Sequence, residues 1–246
     1  MRYPGAITDV VGLWLGHSTD TQARTGCTVV VCSQPAVAGV DVGGGAPGTR
    51  ETALLSPGNT VERVNAVLLT GGSAFGLDAA AGVMAWLEER GWGYETGYAR
   101  VPIVPAAVLY DLGVGRADRR PDKAMGYAAC EDARADNSAQ GAVGAGTGAT
   151  VGKFLGPAHA MEGDRGMASL RVGEATVAAV VAVNCLGNVV DPHTGRTVAG
   201  ARLSGGWADP LALLEGGGAR AIPGSNTTIG VVATVAALTK TQANRL

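Results

Sequence analysis

The apolar positions along this chain fall mostly in short runs, and the pattern favours strands over long helices. Val10–Leu15 (VVGLWL) and Gly26–Cys32 (GCTVVVC) are brief, the second strongly β-branched, and both predict strands buried on at least one face. Asp41–Thr60 is dense in Gly, Pro and turn residues and predicts a long ordered loop, a kind that is usually functional or pinned by packing. Val64–Thr70 predicts a strand running straight into a glycine turn. An Ala-rich amphipathic helix is expected after it, from about Ala74 to Arg90, with Gly91 as C-cap. Val101–Leu109 carries two prolines, so an edge strand or extended segment is expected. Pro121–Ala135 predicts a helix opening on Pro121.

In the second half, Asn137–Gly156 has glycine at nearly every second or third position. Strands are predicted at Met167–Val172, Glu174–Asn184, the short Asn188–Val190 and the β-branched Thr227–Val235, with a turn at His193–Arg196. Thr239 is a serviceable N-cap for a helix opening over Thr239–Leu246. Strands predominate, with two or three helices between them. This predicts layered α and β elements in one domain, 1–246, rather than strict βαβ alternation.

Composition narrows the picture. Apolar residues make up 46 % of the 246, aromatics only 4 %, and there are 39 glycines, which suits sheets that approach closely. The formal net charge of −2 argues against an electrostatic nucleic-acid partner. No basic run leads into a long apolar stretch at the N-terminus, and no apolar stretch reaches a membrane span, so a cytoplasmic protein without a membrane partner is expected. Cys27, Cys32, Cys130 and Cys185 lack paired metal spacing and read as small buried hydrophobes. His17, His159 and His193 share no ligand spacing and read as surface or turn residues, so neither a metal nor a cofactor is expected.

Five places carry candidate chemistry. Gly71–Ala80 (GGSAFGLDAA) departs from the dinucleotide, phosphate-loop and nucleophile-elbow patterns. It is either a tight packing turn or a substrate-pocket wall formed by Gly71, Gly72, Ser73 and Phe75. Lys153, amid Gly, Ala and Val, is either a partly desolvated acid, base or donor, or an ordinary surface lysine. Asn184 ends the apolar run AAVVAVN, and Tyr110 follows VPAAVL. Each puts a polar group at the mouth of a buried element, to serve structure or to stabilise an oxyanion. The strongest local feature is Asn226-Thr227-Thr228, preceded by Pro223-Gly224 and followed by a β-branched strand. A hydroxyl at such a strand start is either the ordinary opening of a strand or a group suited to backbone self-cleavage. The freed α-amine, with a pKa of roughly 7.7–8.0, can then act as base for its own Oγ.

These segments run in the order of a known family. DVGGGAPGTRET, GGSAFGLDAAAGV, PAAVLYDL, PDKAMGYAA, GAGTGATVGK, VAVNCLGNVVDP and NTTIGVVAT together resemble the L-aminopeptidase/D-amidase-esterase family, which includes β-peptidyl aminopeptidases and the nylon-oligomer (6-aminohexanoate) hydrolase. The Asn-Thr-Thr junction is more similar to the nylon-oligomer hydrolase branch. The resemblance implies an α/β, α+β layered fold: a four-layer α-β-β-α sandwich of the N-terminal-nucleophile, ornithine acetyltransferase-like kind. It implies cleavage between Asn226 and Thr227, with 1–226 as α chain and 227–246 as the start of a β chain. It also implies a homo-oligomer, a tetramer of αβ units, acting on small peptide or amide substrates.

By the same resemblance Thr227 is the nucleophile, Lys153 and Asn184 are catalytic-site residues, and Tyr110 stabilises the tetrahedral intermediate. The family's β chain continues through a further strand bearing acidic or serine side chains, an aspartate pair in the nylon-hydrolase branch. Here twenty residues follow the junction, so the β chain is expected to be truncated. The activity implied is hydrolysis of amide bonds in small peptides, amino-acid amides or ω-amino-acid oligomers. The alternatives are an acyltransferase of the ornithine acetyltransferase type and an uncleaved, inactive fragment.

Overall fold

Alternation along the strands fixes two sheets face to face. The computed structural model describes residues 4–217 and 224–246, so Pro223 of the predicted junction turn lies outside the described residues. The first sheet contains β1 (Leu13–Asp20), β2 (Thr25–Val37), β3 (Thr49–Arg50), β4 (Arg63–Thr70) and β5 (Ala106–Val108), in the order β1-β2-β4-β5-β3. The second contains β6 (Arg165–Val172), β7 (Ala175–Asn184) and β8 (Thr227–Thr234), all antiparallel neighbours.

Leu13, Leu15 and Val30 on the inner face of the first sheet meet Met167, Ala178, Val180, Ala182 and Ile229 of the second, and these form the inter-sheet core. On the other face, Cys27, Val29, Val31, Ala66 and Leu68 pack under α1 (Ala79–Glu89) and α2 (Lys123–Glu131). Residues 25–32 of β2 are therefore buried on both faces, which is why GCTVVVC shows no polar alternation. The described residues build helices, sheet and sheet. The outer face of the second sheet carries Leu170, Val172 and Val232, each more than half exposed, where the fourth layer of the expected sandwich would lie. Two further helices are single short turns, α3 (Pro210–Glu215) and α4 (Lys240–Ala243).

Several boundaries differ from the sequence reading, each for a local reason. The first strand starts at Leu13, because Gly12 takes a left-handed turn (φ +93). It then continues through the polar HSTD, paired to Gly26–Thr28 and Thr25. The long loop contains the two-residue β3 and a single 3₁₀ turn at Ala53–Leu55. The helix expected from Ala74 opens instead as a 3₁₀ segment, Ser73–Asp78, because Gly76 approaches the Gly71 carbonyl too closely for any side chain; α1 proper starts at Ala79. Gly91 does close it, with φ +66. Pro121 precedes α2 rather than opening it, and Asp122 is the cap, its carboxylate accepting from the Met125 amide at 3.0 Å. Val101–Leu109 splits in two. Val101 joins a short hairpin, while Ala106–Val108 lies between β4 and β3 rather than at the sheet edge. Thr239 caps α4 as expected, in a reciprocal box with Gln242.

All four cysteines are free thiols, with Cys27, Cys32 and Cys130 buried and Cys185 half-buried. His17 is not a surface residue. It follows Leu15 on the inner face of β1, 9 % exposed, its Nδ1 3.0 Å from Thr28 Oγ1. Burial, then the Arg165 and Arg134 cations, push its pKa down to about 3. The unfolded chain therefore takes up a proton near pH 6.5 that the folded one refuses. Stability should fall as pH drops from about 6.5 toward 3, by up to about 1.4 kcal/mol per pH unit from this group. Urea unfolding at pH 7.5, 5.5 and 4.5 should show a shallower acid limb for His17→Gln than for the unaltered chain; parallel limbs would refute the assignment.

Candidate active site

Strand pairing brings the separated site residues together. In the β7–β8 register Asn184 lies opposite Thr227, and Val183 opposite Thr228. The side chain of Asn184 is fully buried, and both its ends are occupied. Oδ1 accepts from Lys153 Nζ (2.8 Å), the Thr150 amide (3.0 Å) and Thr150 Oγ1 (3.2 Å). Nδ2 donates to the carbonyls of Tyr110 (2.9 Å) and Ser225 (3.3 Å). A buried amide with this many partners is rotationally locked.

Lys153 follows Gly152, whose left-handed backbone (φ +70) is packed so tightly on the Gly200–Ala201 backbone that a Cβ would fall 2.0 Å from the Ala201 nitrogen. That turn, fixed by Lys153 N–H to Leu186 O and Gly152 N–H to Gly187 O, aims the lysine inward. Its ammonium donates to Asn184 Oδ1, to the Asn184 carbonyl (3.1 Å) and to the Ser225 carbonyl (3.0 Å). Half-burial drives its pKa down from the usual lysine value to about 8, with the nearby Cys185 thiol acting weakly the other way. The surface-lysine reading is therefore set aside.

Lys153 and Asn184 thus converge on one carbonyl, that of Ser225, two residues before Thr227. Tyr110 joins the cluster through its main-chain carbonyl, while its side chain is partly exposed. Gly71, Gly72 and Ser73 lie against the neighbouring segment, Ser73 N–H bonding Leu109 O. Phe75 does not join them. It is 60 % exposed, stacked with the Arg120 guanidinium 4.2 Å from its ring, and lines a separate cavity of about 570 Å³ with Asp78, Pro121 and Met125. None of Thr227, Lys153, Asn184 or Tyr110 lines that cavity.

Two residues that hold the cluster escaped the sequence reading. Thr150 fixes the amide of Asn184 twice, and its only signal was a position three residues before Lys153. Asp111, beside Tyr110, is buried with its carboxylate on Thr25 and Gly72. Among the described residues, no group of three or more His, Cys, Asp and Glu side chains could hold a metal ion, and no helix is long and apolar enough to cross a membrane.

Comparison with known proteins gives this geometry a context. The family model described as Peptidase family S58 matches residues 5–246. The chain belongs to peptidase family S58. An uncharacterized aminopeptidase of Mycobacterium tuberculosis (strain ATCC 25618 / H37Rv) is 44 % identical over 259 residues, covering 98 % of this chain and 73 % of that protein. The 6-aminohexanoate-oligomer endohydrolase of Agromyces sp. (strain KY5R) is 36 % identical over 192 residues, 78 % of this chain and 51 % of that one. The match to the nylon-oligomer hydrolases is therefore real but spans less of the chain than the mycobacterial one.

Among solved structures, the L-aminopeptidase D-Ala-esterase/amidase from Ochrobactrum anthropi, described as a variant of the Ntn hydrolase fold, superposes with a TM-score of 0.70 at 20 % identity. It matches 98 % of this chain. A Burkholderia sp. beta-aminopeptidase gives 0.67 at 22 %, over 99 % of this chain. Both establish the fold. The chain spans 65 % of the length of each. Family membership puts the chain among peptide- and amide-bond hydrolases, with the layered fold that its motifs implied.

Proposed function

We propose that Thr227 is an N-terminal nucleophile released by self-cleavage of the Asn226–Thr227 bond, and that the mature site hydrolyses amide bonds of small peptides or amino-acid amides. One observation carries this reading: Lys153 Nζ, half-buried, and the buried Asn184 Nδ2 converge on a backbone carbonyl two residues before a threonine at the start of a strand. The Ser225 carbonyl is not the scissile one, but it lies one residue before it, so these donors stand beside the reacting group, and a substrate carbonyl taking its place would be bound more strongly as it becomes an oxyanion.

In processing, Thr227 Oγ attacks the Asn226 carbonyl carbon, the C–N bond to Thr227 breaks, and an ester to Oγ with a free Thr227 amine results. Water then cleaves the ester, leaving a carboxylate on Asn226. In turnover the freed amine takes the Oγ proton as Oγ attacks the substrate carbonyl, and passes it to the departing amine. Water releases the acyl group and regenerates the hydroxyl. Once the Ser225–Asn226 segment moves away, Lys153 Nζ and Asn184 Nδ2 are free to hold the substrate oxyanion, with Tyr110 beside them. The names of the relatives favour substrates with an amino-acid acyl group, α-, β- or ω-. A tetramer of αβ units is the assembly expected from the same resemblance, and the N-terminal sequence pattern favours the cytoplasm as its location.

The test is denaturing mass spectrometry of the natively purified whole protein, followed by hydrolysis of a panel of aminoacyl p-nitroanilides and a 6-aminohexanoate oligomer. Two fragments meeting at Asn226/Thr227 support the proposal; a single intact mass, unchanged on long incubation, would sink it. Lys153 adds a pH signature. Its ammonium is the donor, and with its pKa near 8 the donor is present below that pH and lost above it. The rate should decline above about pH 8, and Lys153→Arg, which stays charged, should remove that decline. A decline that persists unchanged in Lys153→Arg would assign the limb to another group.

A further inference from the structure

Asp111 is a carboxylate 4 % exposed, next to Tyr110, and among the described residues no cation pairs with it. Burial raises its pKa, opposed by the bonds it accepts. An unpaired buried carboxylate is costly, so its hydrogen bonds indicate what its presence secures. Oδ2 accepts from Thr25 Oγ1 at 2.7 Å, and Oδ1 from the Gly72 amide at 2.7 Å. The surrounding backbone is built around this group. A Cβ on Gly71 would fall 2.1 Å from Oδ2, and one on Gly148 would fall 2.6 Å from the Asp111 Cβ.

Asp111 therefore joins three segments: the start of β2 at Thr25, the Gly71–Ser73 turn after β4, and the Gly148 backbone. Two of its neighbours orient Asn184 directly. Tyr110, one residue before it, supplies the carbonyl that receives Asn184 Nδ2, and Thr150, two residues after Gly148, supplies the amide and hydroxyl that bond Oδ1. Ser73 N–H to Leu109 O and Leu109 N–H to Thr70 O tie the same turn to the Tyr110 segment.

We propose that Asp111 is a positioning residue: through Thr25 and Gly72 it holds the Tyr110 and Thr150 segments at the separation that locks the Asn184 amide, and with it Lys153, in catalytic orientation. This rests on the hydrolase reading above. Asp111 does not itself touch the reacting atoms. Its loss displaces groups that do, and a displacement of about 1 Å in such a site costs roughly 10²-fold in rate. Because the Lys153 ammonium is held by Asn184 Oδ1, the same displacement loosens the lysine.

The experiment compares Asp111→Ala, Asp111→Asn, Thr25→Val and Thr25→Ser in the whole protein, with two readouts. The first is kcat and KM on the amide substrate that the unaltered protein turns over best. The second is pH-dependent labelling of Lys153 by an amine-reactive ester, read by peptide mass spectrometry against the exposed Lys123. Asp111→Ala should lower kcat roughly 10²-fold with KM little changed, and should raise Lys153 labelling severalfold. Asp111→Asn can donate to Thr25 and accept from Gly72, so it should stay near the unaltered protein in both. If Asp111→Ala does not fold, Thr25→Val loses one of the two bonds and should move both readouts in the same direction, while Thr25→Ser should not.

Normal kcat and Lys153 labelling in folded Asp111→Ala or Thr25→Val would overturn the proposal. An Asp111→Asn protein as impaired as Asp111→Ala would also overturn it, by showing that the charge and not the bonding matters. The labelling needs no turnover, so it judges Asp111 even if the protein proves not to be a hydrolase.

Discussion

Thr227→Ala should hold the protein at one intact mass and abolish amide hydrolysis, while the unaltered protein should separate into two chains meeting at Asn226/Thr227. The expectation follows from the chemistry, because one atom performs both steps. Without Oγ no acyl shift starts, and without cleavage no α-amine is released to act as base. Loss of a nucleophile that acts jointly with its base removes nearly the whole covalent route, about 10⁶-fold in a comparable hydrolase. Thr227→Ser should keep both functions, since serine supplies the same hydroxyl. Stability should change little in either variant, because Thr227 is only partly buried at the start of β8. Denaturing mass spectrometry across a time course reads processing, and release of p-nitroaniline reads turnover. Full processing in Thr227→Ala would remove the threonine from the mechanism.

Asn184→Asp is the second large effect, and it separates position from charge. The two side chains have nearly the same shape, so the β7–β8 register and the packing should persist. What changes is the Nδ2 end. An N–H donor that bonds the Tyr110 and Ser225 carbonyls becomes an acceptor facing two acceptors. Loss of one oxyanion donor typically costs about 10²–10³-fold in kcat, and the same fall is expected here. The other end reports independently. A carboxylate 2.8 Å from Lys153 Nζ favours the ammonium, so the lysine pKa should rise from about 8. The alkaline limb of any residual activity, or of Lys153 labelling, should then move to higher pH. An unshifted limb would mean that the Lys153–Asn184 contact does not govern the lysine. Asn184→Ala should be more destabilising, since it leaves the Thr150 amide, the Tyr110 carbonyl and the lysine without their shared partner, at about 1–3 kcal/mol for each group left buried.

Much of this architecture was legible in the sequence because burial imposes patterns on contiguous residues. GCTVVVC is apolar without alternation because β2 is covered on both faces, by helices on one side and the second sheet on the other. Thr239 is a cap because a helix start needs a side-chain acceptor, and Gly91 ends α1 because only glycine takes its left-handed backbone without strain. The shifted starts of α1 and α2 have separate causes. At Gly76 and Pro121 the local propensity pointed one way, while a close backbone contact and the neighbouring Asp122 cap decided otherwise. His17 differs for a related reason: a polar residue on a strand shows nothing of the distant Gly144 turn that packs over it.

Sequence by itself determined the longer strands, the family and the separate candidates Tyr110, Lys153, Asn184 and Thr227, because each is marked by its immediate neighbours and by the order of motifs. Only the tertiary structure decided which atoms of those residues meet. The β7–β8 register sets Asn184 opposite Thr227, and the left-handed turn at Gly152 brings Lys153 onto Asn184 and the Ser225 carbonyl. Tyr110 enters through its backbone rather than its phenol, and Asp111 and Thr150 hold the arrangement from beneath. These contacts join residues tens of positions apart through strand pairing and shared buried carbonyls. No local pattern encodes them, because their energies depend on distances that exist only once the sheets have packed.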